Sequence, residues 1–393
     1  MRVDPIFRQQ KPDKPVIVIV WHAAVVPEYR KLVSVLPEIC SEYYYVLICP
    51  VSWREHGSSL SSAGSAEYHQ GWCFIPLQTV FRGISKHIYL SINKLLDVLR
   101  PVLIDVIEEA SSLAVFQIHL WCKKNGIPFL FNTAENIPKK KNIMHRWIEK
   151  NIFQSSSGAV IRNPYAESIL ILRGFTRPVV FIGNGINTEI FYPSAPKGEL
   201  LAKYRAHHIR IIGFVGKMLP EKGILDLIDV FADLSERKKI QSTALLIIGT
   251  GVLEKKINNR LSEFSESIQK SIFCLPHVPN DDLPDYYRMF DLLIMPSRRY
   301  PGWEEPFGRV AVEAMACGCP VLGSDSGYIP EIVSNPDLIF KANNMRELSA
   351  KIQLLINDTE LRKKAADTAP LLASRFSWND LSVVRINFYK KFI

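Results

Sequence analysis

The sequence predicts an α/β protein with two doubly wound parallel sheets in tandem. Three observations carry this expectation. A chain of 393 residues exceeds what one hydrophobic core usually organises. Short runs rich in Val and Ile alternate with amphipathic stretches almost from end to end. The alternation breaks once, at the Gly-, Asn- and Pro-bearing "NGINTEIFYPSAPKGE" of 184–199, and then restarts.

Taken in order, strands are expected at 16–21, 43–51, 72–77, 102–107, 127–133, 158–162 and 178–183. These runs are rich in Val and Ile and bounded by turn signals, which suits buried strands of a parallel sheet. Helical patterns fall between them at 84–99, where Ile84, Ile88, Leu95 and Leu99 share a face, and at 111–124. The Ser-rich 54–70 reads as a polar loop, either facing an acceptor molecule or simply connecting elements at the surface. In the second half, strands are expected at 209–216, 244–251, 272–278, 292–297, 320–325 and 338–340. Helices there are expected at about 223–236, 253–264, 282–289, 309–317, 329–333, 345–357 and 359–373. Sheets of this kind bind ligands beyond the carboxyl ends of their strands, so a cleft between the two domains is the expected site.

Composition narrows the function classes. No apolar run reaches the ~18–20 residues a bilayer span requires, and the charged, Pro-bearing start resembles neither a signal peptide nor an anchor. The seven cysteines are odd in number, and Cys40, Cys49, Cys73 and Cys274 lie in apolar segments, which reads as buried reduced thiols in a cytoplasmic protein. Cys317 and Cys319 have no partner cluster at ligand spacing, so no metal is expected. The net charge of +9 fits an anionic partner. No nucleic-acid-binding signature accompanies it, and no nucleic acid is expected.

Four segments carry candidate chemistry. In "EEPFGRVAVEAMACGCPV", 304–321, Pro306 suits the approach to a helix, Phe307-Gly308 permits close backbone approach, and Gly318 supplies a stop. The N–H groups at such a helix start form an anion site, and Glu305 and Glu313 could both reach a ligand lying across it. "GFVGKMLPEKG", 213–223, places Lys217 and Lys222 across a strand-to-helix turn, where two cations suit a diphosphate. Gly249-Thr250-Gly251 is a fragment of a dinucleotide fingerprint or a tight turn after a strand; the third glycine is missing. In "IPKKKNIMHRWIEKNIF", 137–153, Ile143, Met144, Trp147 and Ile148 lie on one side, amid Lys139, Lys140, Lys141, Arg146 and Lys150. That segment reads either as a surface lying on an anionic membrane or as a helix docked on the first sheet with a basic outer face.

Together with "IGNGINTEIFYP" and "PSRRYPGWEEPFGRVAVEAMACGCPVLGSDSGYIPEIV", these segments in this order resemble the family 4 retaining glycosyltransferases, glycosyl transferases group 1. The resemblance implies the GT-B fold, two Rossmann-like doubly wound domains facing a central cleft. It also implies an N-terminal acceptor-side domain, 1–190, joined by a C-terminal helix, 378–393, that crosses back onto it. The nucleotide-sugar-binding domain is then 191–377. Lys217, where relatives usually hold arginine, and Lys222 would bind the donor diphosphate, Glu305 the transferred sugar and Glu313 the ribose. Backbone amides around Phe307, Gly308, Arg309 and Val310 would meet sugar and phosphates. Glu305, Lys217 and Lys222 are the expected catalytic residues.

The first domain departs from the family pattern. Its first loop, "WHAAVVPEYRKL", lacks paired glycines, and "VIEEAS" stands where many relatives carry a histidine. That variant resembles a subgroup with paired acids there and a following amide-Asn signature, here Ala134-Glu135-Asn136, which implies acceptor-side or catalytic roles for Glu108, Glu109 and Asn136; Tyr328 occupies a position where relatives usually have a second glycine. The C-terminal segment places Leu381, Val384, Phe388 and Phe392 in a helical rhythm. The implied reaction moves a sugar from a nucleotide-sugar to a glycan, lipid-linked or other glycoconjugate acceptor, with no metal and no cofactor. A sugar-nucleotide epimerase and a non-catalytic sugar-nucleotide-binding protein are the alternatives. The expected location is cytoplasmic, with peripheral contact on the inner face of an anionic membrane left open.

Overall fold

The computed structural model describes residues 13–55, 58–62, 65–81, 83, 85–205 and 208–393. It forms two compact units, one reaching to Gly185 and including Trp378–Ile393, the other Ile186–Ser377. Residues 186–190, expected at the end of the first domain, lie in the second unit. There Ile186 N–H donates to Phe376 O at 2.9 Å, and Arg288 Nη2 donates to Ile190 O at 2.9 Å. Among the described residues, no helix is long and apolar enough to cross a membrane.

The first unit is built on an eight-stranded sheet. Edge to edge it runs Val179–Phe181, Gly158–Ile161, Phe129–Thr133, Leu103–Val106, Val16–Val20, Tyr44–Pro50, Trp72–Leu77 and Glu67–His69. All neighbours are parallel except the last pair. Val16–Val20 is central and buried throughout. Its alternate residues feed two cores, because successive side chains of a strand point to opposite faces. Val16, Val18 and Val20 pack with the helices Ile92–Leu99, Leu113–Asn125 and Ile143–Ser155, while Ile17 and Ile19 pack with Leu32, Leu36, Trp378 and Phe388.

The helix Trp378–Tyr389 therefore covers one face of the first sheet, and its docking is not purely apolar. Arg385 is fully buried and pairs with Asp105; Tyr389 Oη donates to the same carboxylate at 2.6 Å and Asn132 Nδ2 donates to its other oxygen at 2.7 Å. A buried guanidinium is tolerable only with such partners. This pairing rotates the buried face away from the expected one: Leu381 and Phe388 are buried, but Val384 is exposed and Phe392 is half-buried.

Two other expectations in this unit are corrected. The helix expected over 84–99 begins at Ile92, since Ile88–Tyr89 pairs as a short strand with Thr79–Val80; Ile84 lies outside the described residues. The expected loop 54–70 contains a hairpin, Ser52–Glu55 with Ser58–Ser61, and the antiparallel edge strand Glu67–His69. Serine-rich strands lack the apolar period that reveals buried ones. Cys40, Cys49 and Cys73 are buried thiols, Cys49 and Cys73 pushed up to about 12 by burial, but Cys274 is exposed on an edge strand.

The second unit carries a six-stranded parallel sheet in the order Ile272–Leu275, Thr243–Ile248, Arg210–Val215, Leu292–Met295, Val321–Ser324, Ile339–Phe340. Each sheet has one place where strand order reverses. In the first it lies between Val16–Val20 and Leu103–Val106, in the second between Arg210–Val215 and Leu292–Met295. Connections leaving such a pair at their carboxyl ends diverge to opposite faces, opening a crevice for a ligand.

Candidate functional site

At the reversal in the second sheet, the chain leaves Val215 through Gly216, the exposed Lys217 and Met218. It then turns in the 3-10 segment Pro220–Lys222 onto Gly223. Gly223 opens the helix Ile224–Glu236 at φ 67°, and a Cβ there would lie 1.9 Å from Pro296 O. Only glycine lets this turn press against the loop that leaves Leu292–Met295. The expected fingerprint fragment braces the same turn: Met218 N–H donates to Thr250 O at 2.8 Å.

The facing loop brings Glu305 back to Lys222. Lys222 Nζ donates to Glu305 Oε2 at 2.6 Å, Ser297 Oγ donates to the same oxygen at 2.9 Å, and the ammonium lies 5.2 Å from the Trp303 ring centroid. The backbone of Glu305 is held too: its N–H donates to Ser326 Oγ at 3.2 Å, and its carbonyl accepts from Tyr328 N–H at 3.2 Å. Gly327, at φ 56°, lies so close that a Cβ would stand 1.9 Å from Glu305 O.

Downstream, Phe307 is buried with its ring 5.8 Å from that of Tyr328 and 5.3 Å from that of Phe376, so its side chain belongs to the core. Gly308, at φ 93°, precedes the helix Arg309–Ala316, whose first turn carries the half-buried Val310. The amides of such a turn suit an anion. Glu313 lies one turn in and is buried. Tyr287 Oη donates to its Oε2 at 2.9 Å, and Arg309 Nε lies 2.7 Å from its Oε1. Burial and the Glu313 charge push the Tyr287 hydroxyl well up, which keeps it a donor. The two acids of the motif thus have separate partners, and the cation paired with Glu305 is Lys222.

The first sheet has a comparable arrangement at its own reversal. Glu108, just past Leu103–Val106, is buried and hydrogen-bonds His22, just past Val16–Val20, through Nδ1 and through the His22 backbone N–H at 3.2 Å. His87 Nε2 is 3.7 Å from the same carboxylate. Burial pushes the Glu108 carboxyl up, but the two imidazoles, His22 foremost, bring it below its ordinary value. Burial lowers His87. Trp53 packs against both rings, with centroids at 4.5 Å and 4.8 Å. Glu109 instead accepts from Ala134 N–H at 2.9 Å, and burial raises its carboxyl. Asn136 is half-buried in the loop beyond, where the strongly held acid is its neighbour Glu135.

Sequence reasoning missed Ser297, Trp303, Ser326 and Tyr287 around the second-unit acids, and His22, Trp53 and His87 around Glu108. A histidine directly after the first strand was a usable signal for His22. The others come from loops with no spacing rule. An ammonium, a carboxylate with hydroxyl-bonding capacity and a helix start, gathered at a strand-order reversal, can receive a phosphorylated, hydroxyl-rich ligand.

Known proteins are similar to this chain in sequence and in fold. Residues 202–371 match the family model described as glycosyl transferases group 1. An uncharacterized glycosyltransferase of Methanocaldococcus jannaschii is 32% identical over 241 residues, 61% of this chain and 61% of that protein, so the match spans under two thirds of the relative's length. The O-antigen chain mannosyltransferase B of Escherichia coli is 27% identical over 271 residues, 66% of this chain and 68% of that protein. In three dimensions, Anabaena HepE in complex with UDP superposes with a TM-score of 0.72 at 16% identity, covering 96% of this chain and 100% of that one. The chain has the GT-B fold, and residues 202–371 of its second unit are similar to the glycosyl transferases group 1.

Proposed function

We propose that this protein is a retaining, metal-independent glycosyltransferase of family 4. It moves a sugar from a nucleotide-sugar to a glycan, lipid-linked or other glycoconjugate acceptor in polysaccharide or cell-surface glycan biosynthesis, and it works in the cytoplasm. The observation that carries this reading is the Lys222–Glu305 pair, set where strand order reverses in the group 1 unit. The UDP held by HepE and the O-antigen role in the name of the E. coli relative support the donor and acceptor classes.

In this reaction the bond from the anomeric carbon to the β-phosphate oxygen breaks, and its electron pair leaves with the nucleoside diphosphate. Lys217, Lys222 and the amides at the Arg309–Ala316 helix start neutralise that departing charge, the largest catalytic contribution available here. Glu305 accepts hydroxyls of the transferred sugar, and Glu313 binds the ribose. The acceptor oxygen bonds the anomeric carbon on the face the phosphate leaves, and its proton passes to the leaving phosphate oxygen. Glu108, Glu109 and Asn136 serve the acceptor side, with His22 holding Glu108 in place.

Purified protein tested against a panel of UDP- and GDP-sugars, with released nucleotide as the readout and the anomeric configuration of the product determined, decides the matter. The proposal expects acceptor-dependent release, a retained anomer and full activity in a chelator. Epimerised donor formed without an acceptor, or binding without turnover, would replace it.

A further inference from the structure

The helix Ile143–Ser155 presents two unlike faces. Ile148, Ile152 and Phe153 are buried and dock it on the first sheet. The sequence placed Ile143, Met144 and Trp147 on the same side as Ile148, but of these four the structure buries Ile148 alone. Ile143 is 87% exposed, Met144 53% and Trp147 56%. The end of the neighbouring helix Tyr165–Leu172 adds Ile171 and Leu172, 64% and 76% exposed. Five large apolar side chains in water on adjoining helices exceed the scatter of a soluble surface.

Charge accompanies them. Lys139, Lys140, Arg146, Lys150 and Arg177 are exposed and, among the described residues, form no ion pair, whereas Lys141 and Arg173 are consumed by Glu135 and Glu149. A groove of about 1200 Å³ runs between the two helices, bordered by Trp147 and Leu172 and by these unpaired cations. A polyanion in solution would use the cations but gain nothing from Ile143 or Met144. The headgroup zone of an anionic bilayer uses both at once: phosphates meet the ammonium and guanidinium groups while the apolar side chains enter the acyl boundary.

We propose that this face of the first unit, 139–150 with 171–177, docks the protein peripherally on a membrane rich in anionic phospholipid. The proposal stands apart from the glycosyl-transfer reading, since no residue in it belongs to the candidate catalytic set.

The test is co-sedimentation of the full chain with vesicles of phosphatidylcholine containing phosphatidylglycerol, and with phosphatidylcholine alone. Wild type should pellet with the anionic vesicles only, less so as salt rises. Lys139→Glu with Lys140→Glu should lower the partition coefficient at least ~10-fold. Ile143→Asp with Met144→Asp should do the same. All four side chains are exposed, so thermal unfolding and donor binding should match wild type in both variants. Wild type left in the supernatant, equal pelleting with neutral vesicles, or either variant pelleting like wild type overturns the proposal. Inorganic polyphosphate bound as tightly by the Ile143/Met144 variant as by wild type, with unchanged vesicle binding, would instead assign the face to soluble polyanions.

Discussion

Lys222 and Glu305 face each other where the strand order of the second sheet reverses, ammonium to carboxylate at 2.6 Å. On the proposed reading, the cation meets a phosphate of the donor and the acid meets hydroxyls of its sugar. Replacing Lys222 by Ala removes the neutralising charge and leaves the buried Glu305 with Ser297. Turnover should fall by ~2–4 kcal/mol of transition-state stabilisation, roughly 30- to 1000-fold in kcat/KM. Steady-state kinetics with the active donor checks this, and unchanged turnover sinks the assignment.

Glu313 is held by Tyr287 and Arg309 inside the helix it belongs to. Glu313→Gln preserves shape and a hydrogen-bond acceptor but not charge. It should weaken nucleotide affinity more than it lowers kcat, with a small loss of melting temperature. Calorimetry with the nucleoside diphosphate separates the two effects.

Gly327, at φ 56°, lets the backbone of Glu305 lie where a β-carbon would stand 1.9 Å from the Glu305 carbonyl oxygen. Gly327→Ala should destabilise the unit by ~1–3 kcal/mol and shift Glu305 off Lys222. The diagnostic is a loss of activity larger than the loss of folded protein, measured by kcat alongside denaturant unfolding.

Arg385 and Asp105 form the buried ion pair under the C-terminal helix. Arg385→Ala should cost ~3–5 kcal/mol by stranding the carboxylate. Arg385→Met combined with Asp105→Leu should recover much of that loss, because two apolar groups leave no charge unpaired. Chemical denaturation of the single and double variants tests the claim.

Glu135 gives a pH signature. Burial pushes its carboxyl up, but the two-pronged Arg173 and the Lys141 ammonium hold it at about 2. A carboxyl lowered by folding contributes stability above its ordinary value of 4.5, lost as pH falls from there toward 2. Wild type should be more stable than Glu135→Gln at neutral pH, and the gap should close across that acid window. A gap that persists at the lowest pH contradicts the assignment.

Much of the fold was legible because buried parallel strands are written as runs rich in apolar residues: "VIVIV" at 16–20 and "ALLII" at 244–248 announce themselves. The acids and lysines of the second unit were legible as well, since glycine, proline and paired charges fall together at strand-to-helix turns. The hairpin at 52–61 was not, because its serines carry no apolar period. Local order along the chain determined the strands, the helices and the candidate charges. Tertiary structure alone decided that Lys222 pairs with Glu305 across 83 residues, that His22 meets Glu108, and that Val384 faces out while Arg385 goes in. The reason is physical. Periodicity reports which side of an element is apolar, whereas a buried charge is placed by its partner, and that partner comes from whichever strand the sheet order sets beside it.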